Sequence, residues 1–205
     1  MKKMLNIGLT GPSGAGKGEI GAILASLGIP HMDTDRVYHD VITPPSPCLD
    51  ELVAEFGRGI LTPNGDLDRR ALASVVFAEG NEQKHDRLNS ITHKYVLDRV
   101  RAYCAKFQNQ GKAAVCVDAP LLFESGFDRE CDKVITVLAD RETRISRIIS
   151  RDGISRERAI ARINAQNDDG FYTSRADAVI YNNGDKYELE EQIKKILSDW
   201  RVIEI

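Results

Sequence analysis

Short apolar runs alternate with amphipathic stretches along the chain, and this alternation predicts strands separated by helices. Leu5–Thr10 is apolar, ends in glycines and reads as a buried strand. From Lys17 onward, Ile20, Ile23, Leu24 and Leu27 follow helical spacing, and Gly28 closes that helix. Residues 29–32 form a second short strand running into Asp33, and Pro44, Pro45 and Pro47 mark a loop. Helices are expected over residues 49–56, 69–77 and about 87–108, with the turn PNGDLD between the first two. Residues 113–117 are a third strand, bounded by Gly111 and by Asp118-Ala119-Pro120. Lys133–Leu138 is a fourth strand and Ala178–Tyr181 a fifth. Helices over 142–151 and 156–166 flank Asp152-Gly153, and an amphipathic helix over 188–200 closes the chain. Strands that are apolar on both sides and alternate with helices describe an α/β fold of three layers, a parallel five-stranded sheet covered on both faces.

The first strand-to-helix junction carries chemistry. Gly11-Pro12-Ser13-Gly14-Ala15-Gly16-Lys17 fits G-x-x-x-x-G-K between a strand and a helix, which is the setting a phosphate-binding loop (P-loop) requires. Glycines allow the backbone amides to turn inward as an anion nest, the helix start adds its positive dipole end, and Lys17 reaches the β- and γ-phosphates. The nucleotide-binding set expected here is Ser13, Gly14, Ala15, Gly16, Lys17, Gly18 and Glu19. The alternative is a tight turn with an exposed lysine. Gly18 stands where such loops keep a Ser or Thr hydroxyl for Mg²⁺. Either a water takes over that ligand position, leaving a weakened metal site, or Gly18 relieves crowding at the helix start.

Two acidic clusters follow strands: Asp33-Thr34-Asp35 after the second and Asp118-Ala119-Pro120 after the third. In open parallel sheets ligands bind beyond the carboxyl ends of the strands, so both clusters and the loop are expected to share one crevice. Asp33 and Asp118 are the candidate Mg²⁺ holders, through water. Asp118 could instead cap the turn before Pro120. If the second strand continues, Asp33 and Asp35 point to opposite sides and only one faces a phosphoryl acceptor. Seven arginines fall within residues 141–162. Arg144, Arg147 and Arg151 share one helix face, and Arg158 and Arg162 repeat the spacing on the next. Guanidinium forks match the equatorial oxygens of a transferring phosphoryl group, so this helix pair is either a lid or a solvated charged face. Gln166 and Asn182-Asn183 border the adenine, or Asn183-Gly184 is a plain turn.

Composition narrows the field. The 205 residues suit one domain with a small insertion, and 42% hydrophobic with 29% charged residues describes a folded chain. A net charge of −3 and the absence of a clear stacking platform among six tyrosines and six phenylalanines speak against a nucleic-acid partner. Cys48, Cys104, Cys116 and Cys131 show no metal-ligand spacing and read as reduced packing residues. The apolar run near the start is too short for a signal peptide, and charges interrupt the longer stretches, so a cytoplasmic protein without a membrane span is expected.

In order and at suitable spacing the chain carries GLTGPSGAGKG, DTDRVYH, NGDLDRRAL, DAPLLFE, SRIISRDGISRERAIARINAQ and ADAVIYNNG. From about residue 7 to residue 184 it resembles the dephospho-CoA kinases. The resemblance implies a single P-loop kinase domain of the nucleoside monophosphate kinase type, with its core at about 1–60, 110–140 and 175–205. It also implies a helical CoA-binding subdomain at about 61–109 and a lid at about 141–170. The implied reaction moves the γ-phosphoryl of ATP, with Mg²⁺, to the ribose 3′-hydroxyl of dephospho-CoA, in a monomer or weak homo-oligomer. Asp35 falls on the second aspartate of the family's D-x-D motif and looks like the catalytic base, with Asp33 supporting it near the metal. Lys17 and Arg147 complete the implied catalytic set, and Arg147, Arg151 and Asn183 join the nucleotide set. Asp33, Asp35, His39, Arg69, Arg70, Pro120, Leu121, Leu122 and Phe123 are the implied acceptor contacts. Two features depart from the family pattern: Gly18, and the segment NDDGFYTS, where Tyr172 takes a commonly basic position and Arg175 keeps one charge. The competing readings are another small-metabolite P-loop kinase, for nucleosides, shikimate or gluconate, and a nucleotide-binding protein without turnover.

Overall fold

The computed structural model describes residues 3–78 and 81–204. In chain order its elements are β1 (Leu5–Thr10), α1 (Lys17–Ser26), β2 (His31–Asp33), α2 (Thr34–Val41), α3 (Pro47–Phe56), α4 (Arg69–Val76), α5 (Glu82–Asn109), β3 (Ala114–Asp118), β4 (Lys133–Leu138), α6 (Arg141–Asp152), α7 (Arg156–Asn164), α8 (Asp169–Thr173), β5 (Ala178–Tyr181) and α9 (Lys186–Asp199). The chain forms two compact units, one of Met1–Asp33 with Cys104–Ile205 and one of Thr34–Tyr103.

The first unit holds the sheet. Its strands run in the order β2-β3-β1-β4-β5, and every pairing is parallel. Alternate residues of each strand face one layer. Ile7 and Leu9 of β1, Cys116 of β3, Ile135 and Val137 of β4 and Ile180 of β5 share a core with Ile20, Ile23 and Leu24 of α1 and Leu189, Ile193 and Leu197 of α9. A second core joins Val134 of β4 to Ala119 and Leu122, with Phe123, Phe127, Cys131 and Ala176 packed on it. α6 and α7 pair through a third cluster, Ile145, Ile148, Ala159 and Ile163. The sheet is thus covered on both faces, as its two-sided apolar strands require.

The second unit is helical, with the PNGDLD turn between α3 and α4. That turn is pinned by Thr62 N–H to Asp66 O at 2.8 Å and Asp68 N–H to Ile60 O at 2.8 Å. Asp68 then caps α4, its Oδ1 accepting from the amides of Arg70 and Ala71 at 2.9 and 3.0 Å. Glu51 of α3 accepts from Lys94 Nζ at 2.6 Å and Tyr95 Oη at 2.8 Å on α5, and Arg87 reaches Glu55 at 2.9 Å.

Three local expectations change. Pro47 opens α3 behind the cap residue Ser46 instead of lying in a loop, because its fixed φ suits the first helical position and its missing N–H costs nothing there. The helical unit begins at Thr34, earlier than the expected 61, since α2 and α3 belong to it. β2 stops at Asp33 and α2 starts at once, so Asp35 lies on a helix and the strand alternation does not apply to it. All four cysteines are unpaired, and burial pushes the Cys48 thiol up to about 11 and that of Cys131 up to about 12, which keeps both protonated. Among the described residues no helix is long and apolar enough to cross a membrane.

Leu24, fully buried between α1 and the sheet, measures this packing. Leu24→Ala should lower the unfolding free energy by about 2–5 kcal/mol in urea titration with an unchanged m-value, and a loss below about 1 kcal/mol would contradict the packing described.

Candidate active site

Residues 11–16 join β1 to α1, and their conformation is set from behind. Gly14 and Gly16 have φ of 80° and 98°, in the left-handed region. A Cβ on Gly14 would lie 2.6 Å from the Arg144 carbonyl oxygen, and one on Gly16 would lie 2.2 Å from Asn182 Nδ2, so backbone conformation and space both demand glycine. The loop carbonyls are taken by three side chains. Arg144 Nε donates to Ser13 O at 3.0 Å, and Arg147 Nη1 to Gly14 O and Ala15 O at 3.4 and 3.3 Å. Asn182 Nδ2 donates to Ala15 O at 3.1 Å. In a trans peptide the N–H points opposite to the C=O, so the following amides turn away from these partners. The Ala15 amide closes a turn onto Pro12 O at 3.2 Å. Among the described residues no side chain caps the start of α1, whose amides and dipole are therefore presented to an anion. Lys17 Nζ rests on Gly11 O at 2.9 Å. Glu19 is drawn to the loop's back, its Oε2 accepting from Asn182 Nδ2 at 3.3 Å. Apart from its chain neighbours and the backbone of its own helix, no atom of the described residues lies within 4 Å of where a Cβ on Gly18 would sit, so crowding by other parts of the fold does not explain that glycine and a hydroxyl-bearing side chain has room.

Asp33 and Asp118 are register partners on β2 and β3, and Leu9 of β1 pairs with Asp118. The carboxyl ends of three neighbouring strands thus gather the two carboxylates near the start of the loop. Asp118 is buried. Its Oδ2 lies 3.9 Å from Nε2 of His31, whose pKa burial lowers while the nearby Asp33 pulls it the other way. The sequence pattern offered His31 only as part of an apolar strand. Among the described residues no group of three or more His, Cys, Asp or Glu side chains gathers for a metal. A pair of carboxylates suits Mg²⁺, which keeps waters and takes phosphate oxygens as its other ligands. Beyond Asp118, the Ala119 amide donates to Leu9 O at 2.9 Å and Thr10 Oγ1 to Pro120 O at 3.4 Å, tying this corner to β1. The implied acceptor wall divides here. Leu122 is fully buried in the second core and supports from behind, Phe123 is half-buried, and Leu121 is 63% exposed.

In the helical unit, Asp35 and His39 are exposed and share one face of α2, four residues apart. The His39 carbonyl accepts from Thr43 Oγ1 at 2.8 Å. Arg69 and Arg70 open α4 behind the Asp68 cap. Burial raises the Tyr38 pKa, and the guanidinium of Arg69 acts against that shift, which sets Arg69 near α2.

The arginine stripe splits in two. Arg144, only 6% exposed, and Arg147 serve the loop, whereas Arg151 pairs with Asp152 at 2.7 and 2.9 Å. Arg162 also binds Asp152, Arg156 binds Glu142 at 2.8 Å and Arg141 binds Asn164 at 2.7 Å, so α6 and α7 are stapled along their length. Hydrogen bonds from Arg151 and Arg162 pull the Asp152 carboxyl down to about 2. Gln166 Oε1 accepts from the Ser13 amide at 3.0 Å and from Arg144 Nη2 at 3.1 Å. A groove of about 630 Å³ between α6, α7, α8 and β5 is lined by Arg141, Arg144, Gln166, Asp169 and Tyr181 among others. Asn183 Oδ1 accepts from the Asp140 amide at 2.7 Å, so Asn183 ties the β4–α6 corner to the end of β5. The segment NDDGFYTS, expected to depart from the family pattern, contains α8. Tyr172 is buried there, Phe123 meets Phe171 and Tyr172 at 6.0 and 6.4 Å between ring centres, and Arg175 stacks 4.1 Å above Phe171. Phe123, Phe171 and Tyr172 thus form an aromatic cluster at this segment. Arg144 and Asn182 hold the loop's carbonyls, a role the sequence did not assign to either, and the one local hint was that Arg144 lies on the same helix face as Arg147.

Three outcomes test this geometry. Gly16→Ala should abolish binding of ADP in calorimetry, while Gly18→Ala should leave the protein as stable as the parent or more stable by up to about 1 kcal/mol, since alanine favours the helix. The Asp152 carboxyl, lower in the folded protein than its ordinary 3.8, contributes stability that is present above that value and lost as pH falls toward about 2. The melting-temperature deficit of Asp152→Asn should therefore be full at neutral pH and vanish toward pH 2, and a deficit independent of pH would refute the pairing.

Comparison with known proteins agrees with the geometry. The family model for dephospho-CoA kinase matches residues 5–188. The dephospho-CoA kinase of Geobacillus kaustophilus is 39% identical over 200 residues, covering 98% of each chain. That of Carboxydothermus hydrogenoformans is 38% identical over 195 residues, covering 95% of this chain and 94% of the relative. A crystal structure from Thermus thermophilus superposes with a TM-score of 0.80 at 31% identity, covering 97% of this chain and 98% of that one. The dephospho-CoA kinase of Campylobacter jejuni superposes with a TM-score of 0.68 at 26% identity, covering 95% and 96%. With a family match over most of its length and relatives of this identity, the chain belongs to the dephospho-CoA kinase family.

Proposed function

We propose that this protein transfers the γ-phosphoryl group of ATP to the ribose 3′-hydroxyl of dephospho-CoA, giving coenzyme A and ADP in the final step of coenzyme A synthesis. The observation that carries the reading is the loop whose carbonyls are held outward, so that it offers amides and the movable charge of Lys17 to a phosphate chain. Membership of the family supports the choice of acceptor.

In this reading Lys17 leaves the Gly11 carbonyl for the β- and γ-phosphates. Asp35 orients the 3′-hydroxyl and takes its proton as the new O–P bond forms and the bond from the γ-phosphorus to the β-phosphate oxygen breaks. His39, on the same helix face, and Arg69 or Arg70 hold the acceptor, with Arg70 or its neighbour matched to the acceptor's phosphates. Leu121 and Phe123 supply the apolar wall. Asp33 and Asp118 would hold Mg²⁺ through water; when bound, the ion neutralises charge developing on the phosphate oxygens. Arg147 and Arg151 belong to the stapled helix pair within 141–170, which we read as the lid, and Arg147 sets positive charge beside the loop. A cytoplasmic monomer or weak homo-oligomer acting on small molecules, without a nucleic-acid partner, completes the proposal.

The deciding measurement is incubation with ATP, Mg²⁺ and dephospho-CoA, with mass detection of one added phosphate and shikimate and nucleosides as control acceptors. Phosphorylation of dephospho-CoA alone is expected, with Lys17→Ala and Asp35→Asn each slower by roughly 10²-fold or more at the chemical step. ATP binding without transfer to dephospho-CoA would reject the proposal.

A further inference from the structure

We infer that Asn182 is a positioning residue for this reaction: its buried carboxamide locks the peptide between Ala15 and Gly16, so that the Gly16 amide faces the nucleotide's phosphates. The inference deepens the kinase reading and rests on it. Asn182 follows β5 and is 2% exposed. Its backbone amide donates to Leu138 O at 2.8 Å, which anchors the residue to the end of β4. The side chain serves the loop. Nδ2 donates to Ala15 O at 3.1 Å and to Glu19 Oε2 at 3.3 Å, and Oδ1 accepts from Arg147 Nη2 at 3.3 Å. This pattern fixes the amide's orientation. A flipped carboxamide would set oxygen against a carbonyl and a carboxylate, and NH₂ against a guanidinium. Only a group that is donor on one side and acceptor on the other fits, and neither an aspartate nor an apolar residue is both. Gly16 packs directly on it, since a Cβ there would stand 2.2 Å from Nδ2. Asn182 therefore holds the loop twice, once through the Ala15 carbonyl and once by steadying Arg147, which grips the carbonyls of Gly14 and Ala15. Without the carboxamide, the Ala15 carbonyl keeps the bond from Arg147 at 3.3 Å but loses its bond from Asn182 and the support that steadies Arg147, so the Gly16 amide is held less firmly toward the phosphates.

The experiment compares the full-length parent with Asn182→Ala, Asn182→Asp, Glu19→Gln and Asn182→Asp/Glu19→Gln. It measures ADP affinity by calorimetry, separate KM values for ATP and dephospho-CoA, kcat, and melting temperature. Asn182→Ala should weaken ADP and raise the KM for ATP by about tenfold, leaving the KM for dephospho-CoA within about twofold. Asn182→Asp should be worse than Asn182→Ala when residue 19 is Glu, because two carboxylates then face each other, and that gap should shrink when residue 19 is Gln. A lower melting temperature with unchanged ADP affinity below the transition would make Asn182 a residue of the β5 end alone and overturn the inference. So would an equal rise in both KM values. If Asn182→Ala does not fold, the two Asp variants decide, and failure of every Asn182 variant to fold also overturns it, because the sheet must stand without this side chain. A parent that binds no ADP and transfers no phosphate would instead defeat the kinase reading.

Discussion

In a trans peptide the N–H and C=O point opposite ways, so a loop that turns an N–H toward a ligand turns the preceding C=O to the other side, where, once buried, it needs a partner of its own. The phosphate loop depends on that constraint, because its glycines carry no side chains and Lys17 holds the Gly11 carbonyl rather than those of residues 13–15. Here the partners come from far along the chain: Arg144 and Arg147 on α6, and Asn182 after β5. Each such hydrogen bond contributes about 0.5–1.5 kcal/mol net, and more where a guanidinium donates, while a buried carbonyl left without a partner would cost a comparable amount. Several together make one loop conformation the stable one before any nucleotide arrives. A site organised in advance does not spend binding energy on arranging itself.

The surroundings of the loop follow from this arrangement. Burying the Arg144 guanidinium is unfavourable by itself and lowers its pKa. It is offset by Ser13 O, by Gln166 Oε1 and by Asp169, whose carboxylate lies 3.9 Å away. Gln166 in turn accepts from the Ser13 amide, so the end of the α6–α7 hairpin and the tip of the loop are bound in one polar network. The exposed ion pairs that staple α6 to α7 add little stability pair by pair, and the isoleucine cluster buried between the two helices stabilises their pairing more. Its consequence is that the arginines reach the loop from a stiff support. The sheet performs the same service for the carboxylates, since the parallel register sets Asp33 opposite Asp118 with no contribution from loops.

Much of this was legible in the sequence. Mostly apolar runs marked β1, β4 and β5 to their ends, because strands packed in a covered sheet are apolar-rich between turn signals. The loop was recognisable because its glycine spacing is a backbone requirement. What stayed hidden was long-range. Asn182 meets Ala15 across 167 positions and Arg144 meets Ser13 across 131, and no local pattern encodes such pairs. α2 stayed hidden because Asp33-Thr34-Asp35 reads equally as the end of a strand or the start of a helix, and α8 because a short helix gives no periodicity. Tyr172, expected from the resemblance at a basic position, is a packing residue that meets its neighbour Phe171 and, from another loop, Phe123. Leu121 and Leu122 are adjacent and apolar, yet one is exposed and the other fully buried, a distinction that only the second core creates.

In the proposed reaction, Gly18 would shift the work of holding Mg²⁺ to other groups. The open space beside it means that no neighbour forced the glycine. A hydroxyl there would be a neutral ligand to Mg²⁺, and water is another of equal charge. Exchanging one for the other leaves the electrostatics of the site unchanged and removes only the tether that fixes the ion to the helix start. The burden of placing the ion then moves to the phosphates and the carboxylates, and so to the loop amides that fix the phosphates. The less the protein holds the metal directly, the more the reaction depends on peptides whose carbonyls are already taken.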